Sequence, residues 1–132
     1  MRVLVVEDEP VIAINIQATL LDLGYRPFAA ATLAAAADIL EHSHVDIALL
    51  DVRLPDGDGC SLGHKLVERS IPFALMSGTE ILPGMIPVGT PILHKPFGSA
   101  ELTNLLSNLA EQRDRNDYMA GLKKPRRCDS GE

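Results

Sequence analysis

The sequence has little cysteine, no long apolar run and no excess of positive charge over most of its length. Two cysteines in 132 residues cannot build a disulfide framework, so we expect a reducing, cytoplasmic environment. No apolar run approaches the ~20 residues needed to cross a bilayer, and the first residues lack the basic start and long apolar stretch of a signal peptide. We therefore expect no membrane association, and the length suits one domain with a real core.

Charge is distributed unevenly along the chain. Residues 1–112 hold 14 acidic and 6 basic residues, whereas residues 113–132 hold 4 acidic and 6 basic ones. An acidic body argues against nonspecific nucleic-acid binding, so we expect no DNA binding by this chain. Because residues 113–132 show no apolar periodicity, we predict a disordered basic tail there, after a folded domain of residues 1–112.

Short apolar runs alternate with helical patterns along the domain. Runs without polar alternation suit strands that are buried on both faces of a parallel sheet. The predicted strands are residues 2–6, 27–30, 45–52, 72–77 and 91–95, and the predicted helices are residues 10–23, 33–41, 60–69 and a last helix capped by Ser99. This order predicts an α/β fold: a single five-stranded parallel sheet, doubly wound by helices.

The connection between the fourth and fifth strands departs from that pattern. A crossover helix belongs in residues 78–91, but three prolines and several glycines lie there. Proline and glycine disfavour a normal helix. We predict that the fourth helix is short or replaced by an irregular, mobile loop.

Acidic residues follow two of the predicted strands. Glu7 and Asp8 end the first strand and Asp51 lies near the end of the third. In open parallel sheets, ligands bind beyond the carboxyl ends of the strands. Like charges brought together there would raise one another's pKa, and a divalent cation resolves the conflict. Ligands made only of oxygen favour Mg²⁺, so we predict a magnesium site formed by Glu7, Asp8 and Asp51.

Two further polar residues end the neighbouring strands. Ser77 supplies a hydroxyl and Lys95 an ammonium group at the same edge. Carboxylate, metal, hydroxyl and ammonium around one point suit a phosphoryl group. We predict that Asp51 is the nucleophile and forms an acyl phosphate, with Lys95 beside the phosphoryl oxygens.

The order of these motifs resembles a response-regulator receiver domain of two-component signalling, over residues 1–112. The matching residues are Glu7-Asp8, Asp51, the Pro-Asp-Gly-Asp-Gly run at 55–59, Ser77-Gly78 and Lys95-Pro96-Phe97. The resemblance implies a flavodoxin-like strand order of 2-1-3-4-5 and phosphorylation of Asp51 by the phosphohistidine of a sensor histidine kinase. It also implies that the Arg53 backbone carbonyl joins Asp8 and Asp51 as a Mg²⁺ ligand, that Glu7 acts partly through water, and that Lys95–Pro96 is a cis peptide.

The sequence departs from the family pattern in two ways, both of which affect the same face of the predicted domain. Ile92 stands three positions before Lys95, where most receivers carry an aromatic residue, and Ser77 and Lys95 are only 18 positions apart. Residues 71–78 also resemble an atypical subgroup with a Pro-Phe-x-Phe-Ala-Thr-Gly-Tyr-like signature. Its members replace the fourth helix with a flexible segment and are often stand-alone receivers paired with HWE-type kinases. We expect phosphorylation to draw residues 78–91 inward through Ser77.

Three functions remain open at this point. The first is a stand-alone phosphoacceptor, monomeric or weakly dimeric, that catalyses only its own phosphorylation and dephosphorylation and signals through protein contacts or serves as a phosphate sink. The second is a phosphorylation-independent interaction module with the same fold. The third is a Mg²⁺-dependent phosphohydrolase, which would commonly need a second aspartate where this chain has Arg53.

Overall fold

The computed structural model describes residues 1–78 and 89–123. The strands of the main sheet are β1 (Arg2–Val6), β2 (Arg26–Ala30), β3 (Ile47–Asp51), β4 (Phe73–Ser77) and β5 (Ile92–His94). The helices are α1 (Pro10–Asp22), α2 (Leu33–His42), α3 (Gly59–Glu68) and α4 (Ser99–Lys123). A small antiparallel hairpin, Arg53–Leu54 with Gly57–Asp58, lies between β3 and α3.

All neighbouring strands of the main sheet run parallel, in the order β2-β1-β3-β4-β5. This order confirms the predicted five-stranded, doubly wound sheet. At the carboxyl edge, Val6 pairs with both Ala30 and Leu50, and Asp51 pairs with Met76. The ends of β1 and β3 are therefore adjacent, with the end of β4 on the other side of β3.

Both faces of the sheet are covered by helices. The side chains of Leu4, Ala48 and Leu50 lie in one buried cluster with residues of α2 and α3, whereas Val3, Ile47 and Leu49 lie in a second cluster with residues of α1 and α4. Successive strand residues point to opposite faces, so a strand covered on both sides must be apolar throughout. This explains the unbroken apolar runs in the sequence.

Side-chain caps and proline fix where the helices begin. Pro10 occupies the first turn of α1, and Thr32 accepts a hydrogen bond from the Ala35 amide at the start of α2. Asp58 accepts one from the Cys60 amide, so α3 begins at Gly59, one residue before the predicted position. The starts of helices can be predicted from the sequence because each depends on one or two neighbouring residues.

The prediction of a disordered tail from residue 113 is wrong for residues 113–123, because α4 continues to Lys123. Polar contacts hold this extension to the body. Arg113 Nε lies 3.6 Å from Asp46 Oδ1, and Asn116 Nδ2 donates to the Ser70 carbonyl oxygen at 3.2 Å. Apolar periodicity could not reveal a helix that is held by polar anchors. Residues 124–132 lie outside the described residues.

The predicted irregular crossover also falls mostly outside the described residues, since 79–88 are not described. Residues 53–58, which include most of the Pro-Asp-Gly-Asp-Gly run at 55–59, form the hairpin. Among residues 1–78 and 89–123, none of the helices has the length and apolar character of a membrane-spanning segment.

Candidate functional site

The three predicted acids converge at the carboxyl edge of the sheet. Glu7 and Asp8 directly follow β1, and Asp51 is the last residue of the neighbouring strand β3. A carboxylate oxygen from each lies within 4.8 Å of the others. Glu7 and Asp51 are buried, whereas Asp8 is exposed. The cluster therefore has a buried base and an open side facing solvent.

Lys95 contacts two of the three acids in this cluster. It follows β5, and its Nζ lies 2.8 Å from Glu7 Oε1 and 3.2 Å from Asp51 Oδ2. Burial lowers the pKa of Lys95, but the adjacent Glu7 and Asp51 carboxylates outweigh burial, so its pKa is raised above the usual 10.5. The ammonium group is therefore charged at neutral pH and bridges the two buried carboxylates.

The charges of this cluster do not balance. Within residues 1–78 and 89–123, three carboxylates face one ammonium, and two of the carboxylates are shielded from water. Glu7 is held further by the Glu9 amide, which donates to Oε2 at 3.1 Å. An oxygen-only donor set with excess negative charge fits a hard divalent cation, and Mg²⁺ above the softer metals. The residues present thus fit the predicted magnesium ion.

Ser77 ends β4 at the same edge and is 2% exposed. Its carbonyl oxygen accepts a hydrogen bond of 2.8 Å from the Lys95 amide, so the hydroxyl-bearing and ammonium-bearing residues are fixed side by side. The Lys95–Pro96 peptide is cis, as the resemblance implies. Among the described residues, the one atom that a methyl group at Gly78 would meet is Lys95 Cβ, at an ordinary 3.9 Å.

Arg53 lies two residues beyond Asp51, in the first strand of the hairpin, with its side chain exposed. The predicted role of its backbone carbonyl as a metal ligand stays a prediction. The segment that carries it is closed at the base, because the Gly59 amide donates to the Val52 carbonyl oxygen at 2.8 Å. The Val52 amide in turn donates to the Met76 carbonyl oxygen at 3.1 Å.

Two residues of the Pro-Asp-Gly-Asp-Gly run at 55–59 make contacts that the sequence did not predict. A methyl group at Gly59 would overlap the Asp51 carbonyl oxygen, so α3 packs directly on the backbone of Asp51. The Asp56 carboxylate accepts hydrogen bonds from the amides of Leu33 and Ala34 in α2. Asp-Gly pairs such as those at 56–59 are typical of a turn. The two α2 amides that donate to Asp56, however, lie 23 and 22 residues away in the sequence.

The response regulator receiver domain family matches residues 3–107. The transcriptional regulatory protein AruR of Pseudomonas aeruginosa is 35% identical over 118 residues, which cover 82% of this chain and 48% of AruR. TorR of Escherichia coli K12, the TorCAD operon transcriptional regulatory protein, is 31% identical over 113 residues, covering 82% of this chain and 49% of TorR. The chain thus spans about half the length of these relatives.

Similar solved structures are also receiver domains. The receiver domain of the sensor histidine kinase PA1611 from Pseudomonas aeruginosa is 32% identical, with a TM-score of 0.71, and the match covers 82% of this chain and 95% of that one. That structure has a magnesium ion coordinated in its active-site cleft. A response regulator receiver protein from Sinorhizobium medicae is 26% identical, with a TM-score of 0.78 and coverage of 86% and 96%.

Proposed function

Because the chain belongs to the response regulator receiver domain family, we propose that it is a phosphoacceptor of a two-component system and that Asp51 carries the phosphoryl group. The observation that carries the proposal is the cluster of Glu7, Asp8 and Asp51 oxygens within 4.8 Å, with Lys95 Nζ 3.2 Å from Asp51 Oδ2. A solvated acid at a strand end would have neither a partly buried ammonium partner nor two other carboxylates so close.

The chemistry assigns a role to each group. An oxygen of the Asp51 carboxylate attacks the phosphorus of a phosphohistidine; a P–O bond forms, the P–N bond breaks, and the departing imidazole nitrogen takes up a proton. Lys95 lies beside the attacking carboxylate of Asp51, where its charge stabilises the phosphoryl oxygens. Bound by Asp8 and Asp51, by the Arg53 carbonyl and, through water, by Glu7, Mg²⁺ would supply the remaining positive charge.

The phosphoryl group adds about −1.5 to −2 charges at Asp51. We propose that Ser77, which is buried beside Lys95, donates its hydroxyl to the new phosphoryl oxygens and so transmits the change to the segment that follows β4. The readout is a contact with a protein partner, or none if the chain serves as a phosphate sink. The phosphodonor is a sensor histidine kinase, in our proposal one of HWE type, and the chain catalyses only its own phosphorylation and dephosphorylation.

Mass spectrometry after incubation with Mg²⁺ and acetyl phosphate tests the proposal. We expect one phosphoryl group per chain, located on Asp51 by peptide mapping and missing from Asp51→Asn. Asp38→Asn is the matched control, since Asp38 is an exposed acid on α2, and it should label like the wild type.

The other outcomes separate the competing functions. Wild-type chain that binds a partner but takes no label from acetyl phosphate or from any kinase would indicate an interaction module. Many turnovers of acetyl phosphate per minute without accumulated label would indicate a phosphohydrolase. Label on any residue other than Asp51 would contradict the assignment directly.

A further inference from the structure

The tip of the hairpin after Asp51 is fastened to a different part of the fold. The Asp56 carboxylate accepts a hydrogen bond of 2.8 Å from the Leu33 amide at Oδ1 and one of 3.0 Å from the Ala34 amide at Oδ2. These amides belong to the first turn of α2, 22 and 23 residues earlier in the chain. Amides of a first helical turn have no partner within the helix, so an external carboxylate satisfies them.

The start of α2 already has a cap of its own. Thr32 Oγ1 accepts a hydrogen bond of 3.1 Å from the Ala35 amide, which is the ordinary local arrangement. Asp56 takes the two preceding amides, so local and distant caps share one helix end without competing. The local cap serves the helix alone, whereas the distant one also joins two loops.

An apolar contact reinforces the same connection. A Cβ atom built on Gly57 would lie 2.9 Å from Leu33 Cδ1, so the hairpin backbone and the first residue of α2 are in close contact. The two hydrogen bonds from the Leu33 and Ala34 amides also lower the pKa of Asp56 below its usual value. The hairpin is thus held by both charge and packing.

This connection links the two loops that carry the acids. At one end, α2 follows β2, whose last residue Ala30 accepts a hydrogen bond of 3.0 Å from the Glu7 amide. At the other end, the hairpin begins two residues after Asp51 and is closed at its base by Gly59 and Val52. The loop after β1 and the loop after β3 are therefore joined through α2 as well as through the sheet.

We propose that Asp56 is a positioning residue for the metal site: by fastening the hairpin to α2 it fixes the distance between Asp51 and the acids that follow β1. The inference rests on the proposed function, since it concerns the affinity of that same site for Mg²⁺. Asp56 itself does not touch the metal. Its loss widens the range of positions that the segment after Asp51 adopts, and a divalent site tolerates such looseness poorly.

Isothermal titration with MgCl₂ tests this with a matched pair of variants. In Asp56→Ala we expect the Kd for Mg²⁺ to rise about tenfold, the lower end of the range for outer-shell substitutions at metal sites. Asp56→Asn keeps one acceptor oxygen and should give an intermediate Kd. Thr32→Ala removes a cap from the same helix end without touching the hairpin, and it should lower the melting temperature while leaving the Kd unchanged.

The outcomes distinguish this inference from the function on which it rests. If the wild type binds Mg²⁺ and Asp56→Ala binds equally well, the inference fails and the proposed function stands. If Thr32→Ala weakens binding as much as Asp56→Ala, helix stability rather than positioning explains the effect, and the inference again fails. If the wild type binds no Mg²⁺, both fail. Should Asp56→Ala not fold, the comparison between Asp56→Asn and Thr32→Ala decides.

Discussion

Buried acids are stable in this chain because each is compensated by a specific neighbour. Burying an unpaired carboxylate costs several kcal/mol, of order the whole stability of a small domain. Glu7 and Asp51 avoid most of that cost because both contact the ammonium group of Lys95. The remaining carboxylate, Asp8, stays in solvent. The pocket is thus strongly acidic yet stable, which is the condition that a cation site needs.

Gly59 is the residue at which packing constrains the phosphoacceptor most directly. A methyl group at this position would overlap the Asp51 carbonyl oxygen and lie 3.1 Å from its carbonyl carbon. Both are backbone atoms, so no side-chain rotation relieves the clash. We expect Gly59→Ala to lower the free energy of unfolding by about 2 kcal/mol, a usual cost of overpacking, and to reduce phosphorylation as the Asp51 backbone shifts.

Chemical denaturation and acetyl phosphate labelling, run in parallel, measure both effects. Gly98→Ala is the control, because in the described part of the chain its methyl group would meet only Glu101 Oε1, at an ordinary 3.8 Å. Wild-type stability together with a wild-type labelling rate in Gly59→Ala would show that the contact with Asp51 constrains nothing.

The location of an individual site residue can be predicted from the sequence when that residue lies at the end of a strand. Glu7, Asp8, Asp51, Ser77 and Lys95 could be placed together because parallel strands end at one edge. The role of Asp56 could not be predicted, because its partners are amides of α2, 23 and 22 residues away, and any residue type offers an amide. A backbone partner leaves no trace in the sequence.

At the scale of elements, α4 shows where apolar periodicity stops being informative. Its first three turns bury Leu102, Leu106 and Leu109 against the sheet, and this part was predicted. Beyond residue 112 the helix is held by Arg113 and Asn116 instead. A segment with polar residues on every face is predicted to be a solvated tail. Its helix could be predicted only if the partners of Arg113 and Asn116, which are Asp46 and the Ser70 carbonyl oxygen, were already known.

Asp46 is the anchor that ties this helix to the sheet. Its Oδ2 accepts a hydrogen bond of 2.8 Å from the Arg2 amide, and its Oδ1 lies 2.8 Å from His44 Nε2 and 3.6 Å from Arg113 Nε. Burial raises the pKa of Asp46, but the Arg2 amide together with His44 and Arg113 outweighs burial. Its pKa is therefore lowered from the ordinary 3.8.

The sign of the pH dependence follows from that shift. A carboxylate whose pKa is lower in the folded state contributes stability above its unfolded pKa and loses that contribution as the pH falls toward its folded pKa. We expect Asp46→Asn to melt below the wild type at neutral pH, with a difference that shrinks once the pH falls below 3.8. Thermal melts followed by circular dichroism measure this, with the exposed Asp38→Asn as the control. A difference that stays constant through the acid range would contradict the role of Asp46.

At the scale of the whole molecule, the alternation of apolar strand runs with helical patterns predicted a parallel sheet covered by helices on both faces. The strand order 2-1-3-4-5 came from the resemblance to receiver domains and not from the alternation. The hairpin after Asp51 escaped prediction because two-residue strands are too short to show a pattern. The subgroup suggested by residues 71–78 stays a prediction, because its signature describes a segment that extends into residues 79–88.

The magnesium site proposed at the acidic edge predicts that the stability of the fold depends on divalent cations. A ligand that binds only the folded state stabilises it by about 2.7 kcal/mol at a concentration of 100 times its Kd. We therefore expect the melting temperature of the wild type to rise with MgCl₂ but not with NaCl of equal ionic strength. Asp8→Asn should lose most of that rise and yet be at least as stable as the wild type in EDTA, because it removes an exposed charge that repels Glu7 and Asp51. Asp22→Asn changes an exposed acid on α1 outside this cluster and should keep the full rise. A full Mg²⁺-dependent rise in Asp8→Asn would show that the cation binds elsewhere on the chain.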